Sequence, residues 1–160
     1  TAHTLINSTA TVANRPAADI QFSVAGLNAL MDLWVVLKDE NGDPMRAWPD
    51  ELIIGTNPGD INTMEPIFNS NQEPFTADNT DNVTKRRLST MKRMVSHYKS
   101  DRKSYFLNSS KLNDAWLLPR RALEFDDDFD FLTDVARYKA TTRFMIWFVD
   151  WRGWSGAFPT

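Results

Sequence analysis

The chain contains no cysteine, which removes disulfide scaffolds, thiolate metal sites and thiol nucleophiles together and fits a reducing compartment. Its only histidines are His3 and His97; neither stands in a paired metal spacing such as His-x-x-x-His or in a nucleophile setting. The six glycines form neither a Gly-rich phosphate loop nor a Gly-x-Ser-x-Gly elbow. Long apolar runs are missing too. Stretches such as Met145 to Val149 fall far short of the roughly 20 residues that span a bilayer. The start, Thr1-Ala2-His3-Thr4, has no basic segment followed by an apolar one, so neither an export signal nor a membrane segment is expected. A first residue of Thr is expected of a processed chain or of part of a longer product. The formal net charge is -3 and the pI about 5.3. No global positive field is present to release counterions from a phosphate backbone, so nucleic-acid binding is not expected as the main task.

What is present is apolar and aromatic material. With 160 residues and 42% hydrophobic content the chain can bury a real core. Ten Phe, six Trp and three Tyr are many for this size, and large aromatics dominate the energetics of cores and interfaces alike. A partner is therefore expected.

Residues 1–18 lack a sustained apolar period and read as an extended arm or connector. From Ser23, a plausible N-cap, Val24, Leu27, Leu30, Met31, Trp34 and Leu37 recur at helical steps and predict a core-facing helix. Asn41-Gly42-Asp43-Pro44 should stop it. The acids here lack the spacing and terminal Glu of a helix-loop-helix calcium site. Glu51 to Thr56 predicts a short buried strand. Asp60 can cap a brief helix through Met64 that Pro66 ends or kinks, and 69–81 is a polar loop.

Residues 83–103 carry Lys85, Arg86, Arg87, Lys92, Arg93, Lys99, Arg102 and Lys103 against the single acid Asp101. Interleaved apolar residues predict a helix at first and a strand by Met94 to Tyr98. Ala115 to Leu118 predicts a buried strand, and Glu124, Asp126, Asp127, Asp128 and Asp130 an acidic loop. Tyr138 to Trp151 alternates as one long strand whose second half is apolar on both faces. One face is expected on the domain core and the other under some further cover.

Neighbouring carboxylates gather cations and raise one another's pKa, so 124–130 admits a carboxylate-based, metal-dependent hydrolase. Adjacent side chains of an extended segment point to opposite faces, however, and do not converge on one ion. The basic stretch admits a nucleic-acid-binding module with Tyr98 and Tyr105 as stacking rings, or simply a solvated face. It also admits an intersubunit contact in which it meets the acidic segment of a neighbouring copy.

The order of segments resembles the major capsid proteins of tailed bacteriophages, the fold named after phage Hong Kong 97. Three stretches carry the resemblance: the helix, Gly/Pro turn and strand from Gly26 through Lys38-Asp39-Glu40-Asn41-Gly42-Asp43-Pro44 and Pro49 to Ile54; Leu112-Asn113-Asp114-Ala115-Trp116-Leu117-Leu118; and Arg143-Phe144 with Asp150-Trp151-Arg152-Gly153-Trp154-Ser155-Gly156. They span about Asp19 to Ala157. The family's N-terminal arm, extended loop and spine helix are not recognisable in front of them, so the resemblance implies the later part of a subunit. It implies an α+β fold with an axial domain over 19–137 and a long return strand and C-terminal tail of the peripheral domain over 138–160. It further implies a non-enzymatic, cofactor-free and metal-free virion protein. Such a protein assembles in the bacterial host cytoplasm into homo-oligomeric pentamers and hexamers of an icosahedral shell. Portal, scaffold or decoration proteins are further partners, and packaged DNA is touched only non-specifically. An encapsulin-like compartment would share the fold. Expected interface residues are Lys85, Arg86, Arg87, Lys92, Arg93, Glu124, Asp126, Asp127, Asp128, Asp130, Trp147, Asp150, Trp151, Arg152 and Trp154, with Asp150 and Arg152 as a pair that fixes the terminal segment.

Overall fold

The N-terminal residues expected as an extended arm pair in part as two short antiparallel strands, β1 (Ala2–Thr4) and β2 (Thr11–Ala13), with Ala2 opposite Ala13. The structure, a computed structural model, describes residues 2–4, 11–77, 80–112 and 115–160. Helix α1 (Val24–Val35) starts where Ser23 accepts the Gly26 N–H on its hydroxyl at 3.1 Å, and it buries Leu27, Leu30, Met31 and Trp34. The expected turn follows, with Gly42 at a φ of 89°. Asp39 accepts the amides of Asn41 and Asp43 on one oxygen, at 2.9 and 2.8 Å. That carboxylate thus serves the turn itself.

Strand β3 (Glu51–Ile54) is buried over its last three residues. Helix α2 (Pro58–Asn69) is longer than Asp60 as a cap predicts, because Asn57 is the N-cap and Pro58 takes the first turn, where its missing N–H costs nothing. Pro66 lies inside the last turn rather than ending the helix. Helix α3 (Val83–Arg87) is capped by Asn82, whose carboxamide oxygen accepts the Lys85 N–H at 2.9 Å. The amide of the same buried Asn82 side chain donates to the carbonyls of Ile67 and Ser70 at 2.8 and 3.1 Å, tying the end of α2 to the start of α3.

Strands β4 (Lys92–Val95) and β5 (Tyr105–Asn108) follow; then come β6 (Ala115–Asp130) and β7 (Val135–Phe148), and β8 (Trp154–Ala157) closes the chain. The chain divides into two compact units, Thr1–Asn113 with Trp151–Thr160, and Asp114–Asp150.

In the first unit the sheet order is β4-β3-β5-β8, parallel between β3 and β4 and antiparallel elsewhere. One core joins α1, α2 and this sheet through residues such as Leu27, Trp34, Ile54, Ile67 and Leu107. Strand β5 alternates: Tyr105 and Leu107 are wholly buried, while Phe106 meets Phe158 edge-on at 5.4 Å. Opposite Phe106 stands Gly156, where a Cβ would lie 2.5 Å from the ring. Glycine is what lets that aromatic cross β8. Mixed helix and sheet content bears out the α+β class.

The second unit is one antiparallel hairpin of β6 and β7, and it overturns three expectations. Ala115 to Leu118 is a strand but an exposed one. The acidic 124–130 segment is not a loop; it lies in β6 with Asp126 opposite Lys139 and Asp128 opposite Arg137. Such cross-strand pairs relieve the repulsion that the bare acidic run suggests. The long final strand runs Val135–Phe148, and the residues of both its faces are exposed almost throughout. No helix among the described residues is long and apolar enough to cross a membrane.

Candidate assembly surface

Register fixes what the ribbon shows. Directly opposed residues share a face, and each strand alternates faces. At the base, Trp116 opposes Trp147 and Leu118 opposes Met145 on one face; Leu117 opposes Ile146 and Pro119 opposes Phe144 on the other. Both faces are therefore apolar there. Register shifts between Pro119 and Glu124 place extra β6 residues in bulges, and Pro119, which has no N–H for a ladder, stands at that break.

Beyond the bulges the faces part in character. The face that holds Phe144 and Ile146 continues through Phe125 opposite Ala140, Asp127 opposite Tyr138, and Phe129 opposite Ala136. The other becomes charged: Asp126 with Lys139, Asp128 with Arg137. One face thus stays largely apolar along 14 residues of β7, about 45 Å at 3.3 Å per residue. Its side chains are open to solvent, Phe125 at 79% and Ile146 at 61%, and Trp147 on the opposite face is 56% exposed.

The hairpin closes through Phe131–Asp134, with Asp134 at a φ of 54°, a conformation that Asp tolerates better than most residues. Asp130 accepts the Leu132 N–H at 3.0 Å. Hydrogen bonds from the Thr133 hydroxyl and then from the Leu132 amide hold its carboxyl below the usual range. Arg137 lies 3.9 Å from the same carboxylate. Glu124 is bound by Arg121 within β6 at 2.6 and 2.8 Å. Among the described residues no group of three or more His, Cys, Asp or Glu side chains could hold a metal ion. The acidic run is thus a turn cap, a local ion pair and a set of cross-strand pairs.

The basic stretch divides its work. Lys85 donates to the Asn69 carbonyl at 2.8 Å and to Asn71 at 2.6 Å. Arg93 lies over the Phe68 ring at 5.2 Å, and Lys92 stands 3.7 Å from Glu51. Lys99 sits over Phe106 at 4.5 Å, and burial pulls its ammonium below the ordinary lysine range. Arg86 and Arg87 are exposed, Arg87 with its guanidinium 5.8 Å above the Trp48 ring. The strand expected over Met94 to Tyr98 is β4, Lys92–Val95, so His97 lies exposed in the turn after it, whereas His3 stacks on Trp151 at 4.0 Å.

The terminal segment is built into the first unit, contrary to its expected place at a subunit surface. Arg152 is 8% exposed, donates to the Lys38 carbonyl at 3.2 Å and pairs with Glu40. Trp151 is half-buried between His3 and Arg152, and Trp154 is half-buried on β8. Of the expected terminal anchors, Trp147 alone is exposed, at 56%. The residues that sequence reasoning missed are Trp116, Phe125, Phe129, Phe131 and Leu132, all exposed. Part of their signal was present, since Phe125, Phe129 and Phe131 before the turn, and Tyr138, Phe144 and Phe148 after it, recur at even spacing. Searches of protein-family models, curated proteins and solved structures find nothing that matches this chain.

Proposed function

We propose that this chain is the later part of a structural shell subunit of a tailed-phage head, with the Hong Kong 97-type fold. It works by self-assembly into pentamers and hexamers that enclose a DNA genome. The observation that carries the reading is the β6–β7 ribbon, whose two faces at the base present Trp116, Leu117, Leu118, Phe144, Met145, Ile146, Trp147 and Phe148 to solvent. A two-stranded ribbon is at best marginal alone in water, and a contiguous apolar patch of this kind marks a surface made to be covered. The order of the segments supplies the kind of cover: sister copies of one subunit.

The mechanism is repetition. Each copy contributes the same ribbon, so one modest aromatic contact recurs at every position of a ring and again between rings. Multivalency then makes the closed container far more stable than any single contact. The largest exposed groups are aromatic and aliphatic, and burying them contributes about 25 cal/mol per Å², partly offset by the ordering of the partners. Neither catalysis nor a cofactor enters this account.

Sedimentation velocity and electron microscopy of the purified full-length gene product test it. Uniform closed particles are the expected result. A product that stays monomeric across protein and salt concentration overturns the shell reading.

A further inference from the structure

Beside β3 the first unit carries a cleft of about 490 Å³ lined by Met45, Arg46, Trp48, Asp50, Lys111 and Leu112 among others. That volume falls within the range of roughly 300–1,000 Å³ typical of ligand sites. Its lining joins the apolar Met45, Trp48 and Leu112 to the bases Arg46 and Lys111. Arg46 and Lys111 are exposed, and Arg87 lies over the exposed Trp48 ring. The one acid, Asp50, is bound to the backbone amide of Ser110 at 2.8 Å and to the Ser110 hydroxyl.

The hairpin apex has the opposite make-up. Phe131 and Leu132 project at 88% and 92% exposure. Around them, residues 124–139 hold Glu124, Asp126, Asp127, Asp128, Asp130 and Asp134 against only Arg137 and Lys139. An apolar knob ringed by acids is the complement of a cleft that joins apolar residues to bases.

We infer that the Phe131–Leu132 apex of one copy's ribbon seats in the Trp48 cleft of a second copy. The inference rests on the shell reading and supplies the contact that reading leaves open. Knob and cleft are different surfaces, so the contact is heterologous, and heterologous contacts with a suitable rotation close into rings. Arg87 and Trp48 are residue types that dominate interface energetics, and the charged rim sets register and encounter rate.

The test is a reciprocal charge swap in the full chain, read by sedimentation velocity. In the knob variant, Asp127→Lys and Leu132→Lys leave the cross-strand pairs of Asp126 and Asp128 in place. In the cleft variant, Arg46→Glu and Lys111→Glu alter exposed rim residues. Each variant alone should remain monomeric at concentrations where the unaltered protein associates, and at dilutions where both are monomeric its thermal unfolding midpoint should match that of the unaltered protein. Their equimolar mixture should regain association in even-membered rings such as hexamers, where the two variants alternate and each knob meets a cleft of opposite sign, while a five-membered ring cannot alternate. Phe131→Ser with Leu132→Ser should not associate alone or with the knob variant, and with the cleft variant, whose knob is unaltered, it should give heterodimers and no larger species. Closed particles that form equally well from all variants overturn the inference and leave the shell reading standing. Open or small oligomers with full rescue support the inference while the shell reading falls. An unaltered protein that is monomeric throughout, or a mixture without rescue, overturns the inference.

Discussion

Trp34 donates its indole N–H to the Ser155 hydroxyl at 2.8 Å, a buried bond between residues 121 positions apart. It joins α1 to β8, and with it the tail of the chain becomes part of the first unit's core. Ser155→Ala removes the acceptor and leaves the indole N–H buried without a partner. The expected loss is about 1–3 kcal/mol of unfolding free energy, read as a lower urea midpoint with an unchanged slope. An unchanged midpoint would show that the tail is not anchored through this bond.

The tail explains much of what sequence could and could not disclose. Helix α1 was legible because Leu27, Leu30, Met31 and Trp34 repeat at helical steps behind a serine cap, and β3 because its apolar run lies between prolines. Strands β5 and β8 were not legible, since Tyr105–Asn108 and Trp154–Ala157 are four residues each and carry polar or glycine positions. Their strand character comes from pairing with β3 and with each other, a long-range effect that local pattern does not record. The acidic run misled for a related reason. Asp126 and Asp128 look like a loop until Lys139 and Arg137 are placed opposite them.

At Gly55 the backbone of a neighbouring loop leaves no room for a side chain. A Cβ there would stand 1.9 Å from the Arg102 carbonyl oxygen, and neither atom belongs to a flexible side chain. Gly55→Ala should therefore force the two backbone segments apart, at a cost of about 1–3 kcal/mol as for other overpacked sites. The check is the thermal midpoint, which should fall further than in a Gly59→Ala control, where a Cβ would meet nothing nearer than 3.7 Å.

Tyr105 is wholly buried, and its hydroxyl donates to the Ile20 carbonyl at 2.8 Å. Burial, with smaller contributions from Asp19 and Asp60, pushes the phenol up to about 12. The unfolded chain ionises near 10, so between these values the unfolded state holds fewer protons than the folded one. Stability must then fall as pH rises through that window, and it is fully present below it. Tyr105→Phe should cost about 1 kcal/mol near neutral pH through the lost hydrogen bond. The deficit should shrink between pH 10 and 12, because the variant has no phenol to ionise. Denaturant titrations at pH 8 and pH 11 measure it, and a deficit that stays constant would refute the assignment.

The ribbon makes the sharpest separation between folding and assembly. Leu117 and Ile146 oppose each other on one face, at 64% and 61% exposure, so within the chain they bury little. Leu117→Thr with Ile146→Thr keeps residues suited to strands at both positions, threonine being β-branched. Exposed substitutions of this sort usually change stability by no more than about 0.5 kcal/mol, so the unfolding transition of the monomer should hold. If sister copies cover this face, the same change removes apolar area from every repeat of the contact, and association should require markedly higher protein concentration. Denaturant unfolding and sedimentation on the same preparation read the two effects apart. Lost stability with retained association would mean that the ribbon is covered within its own chain.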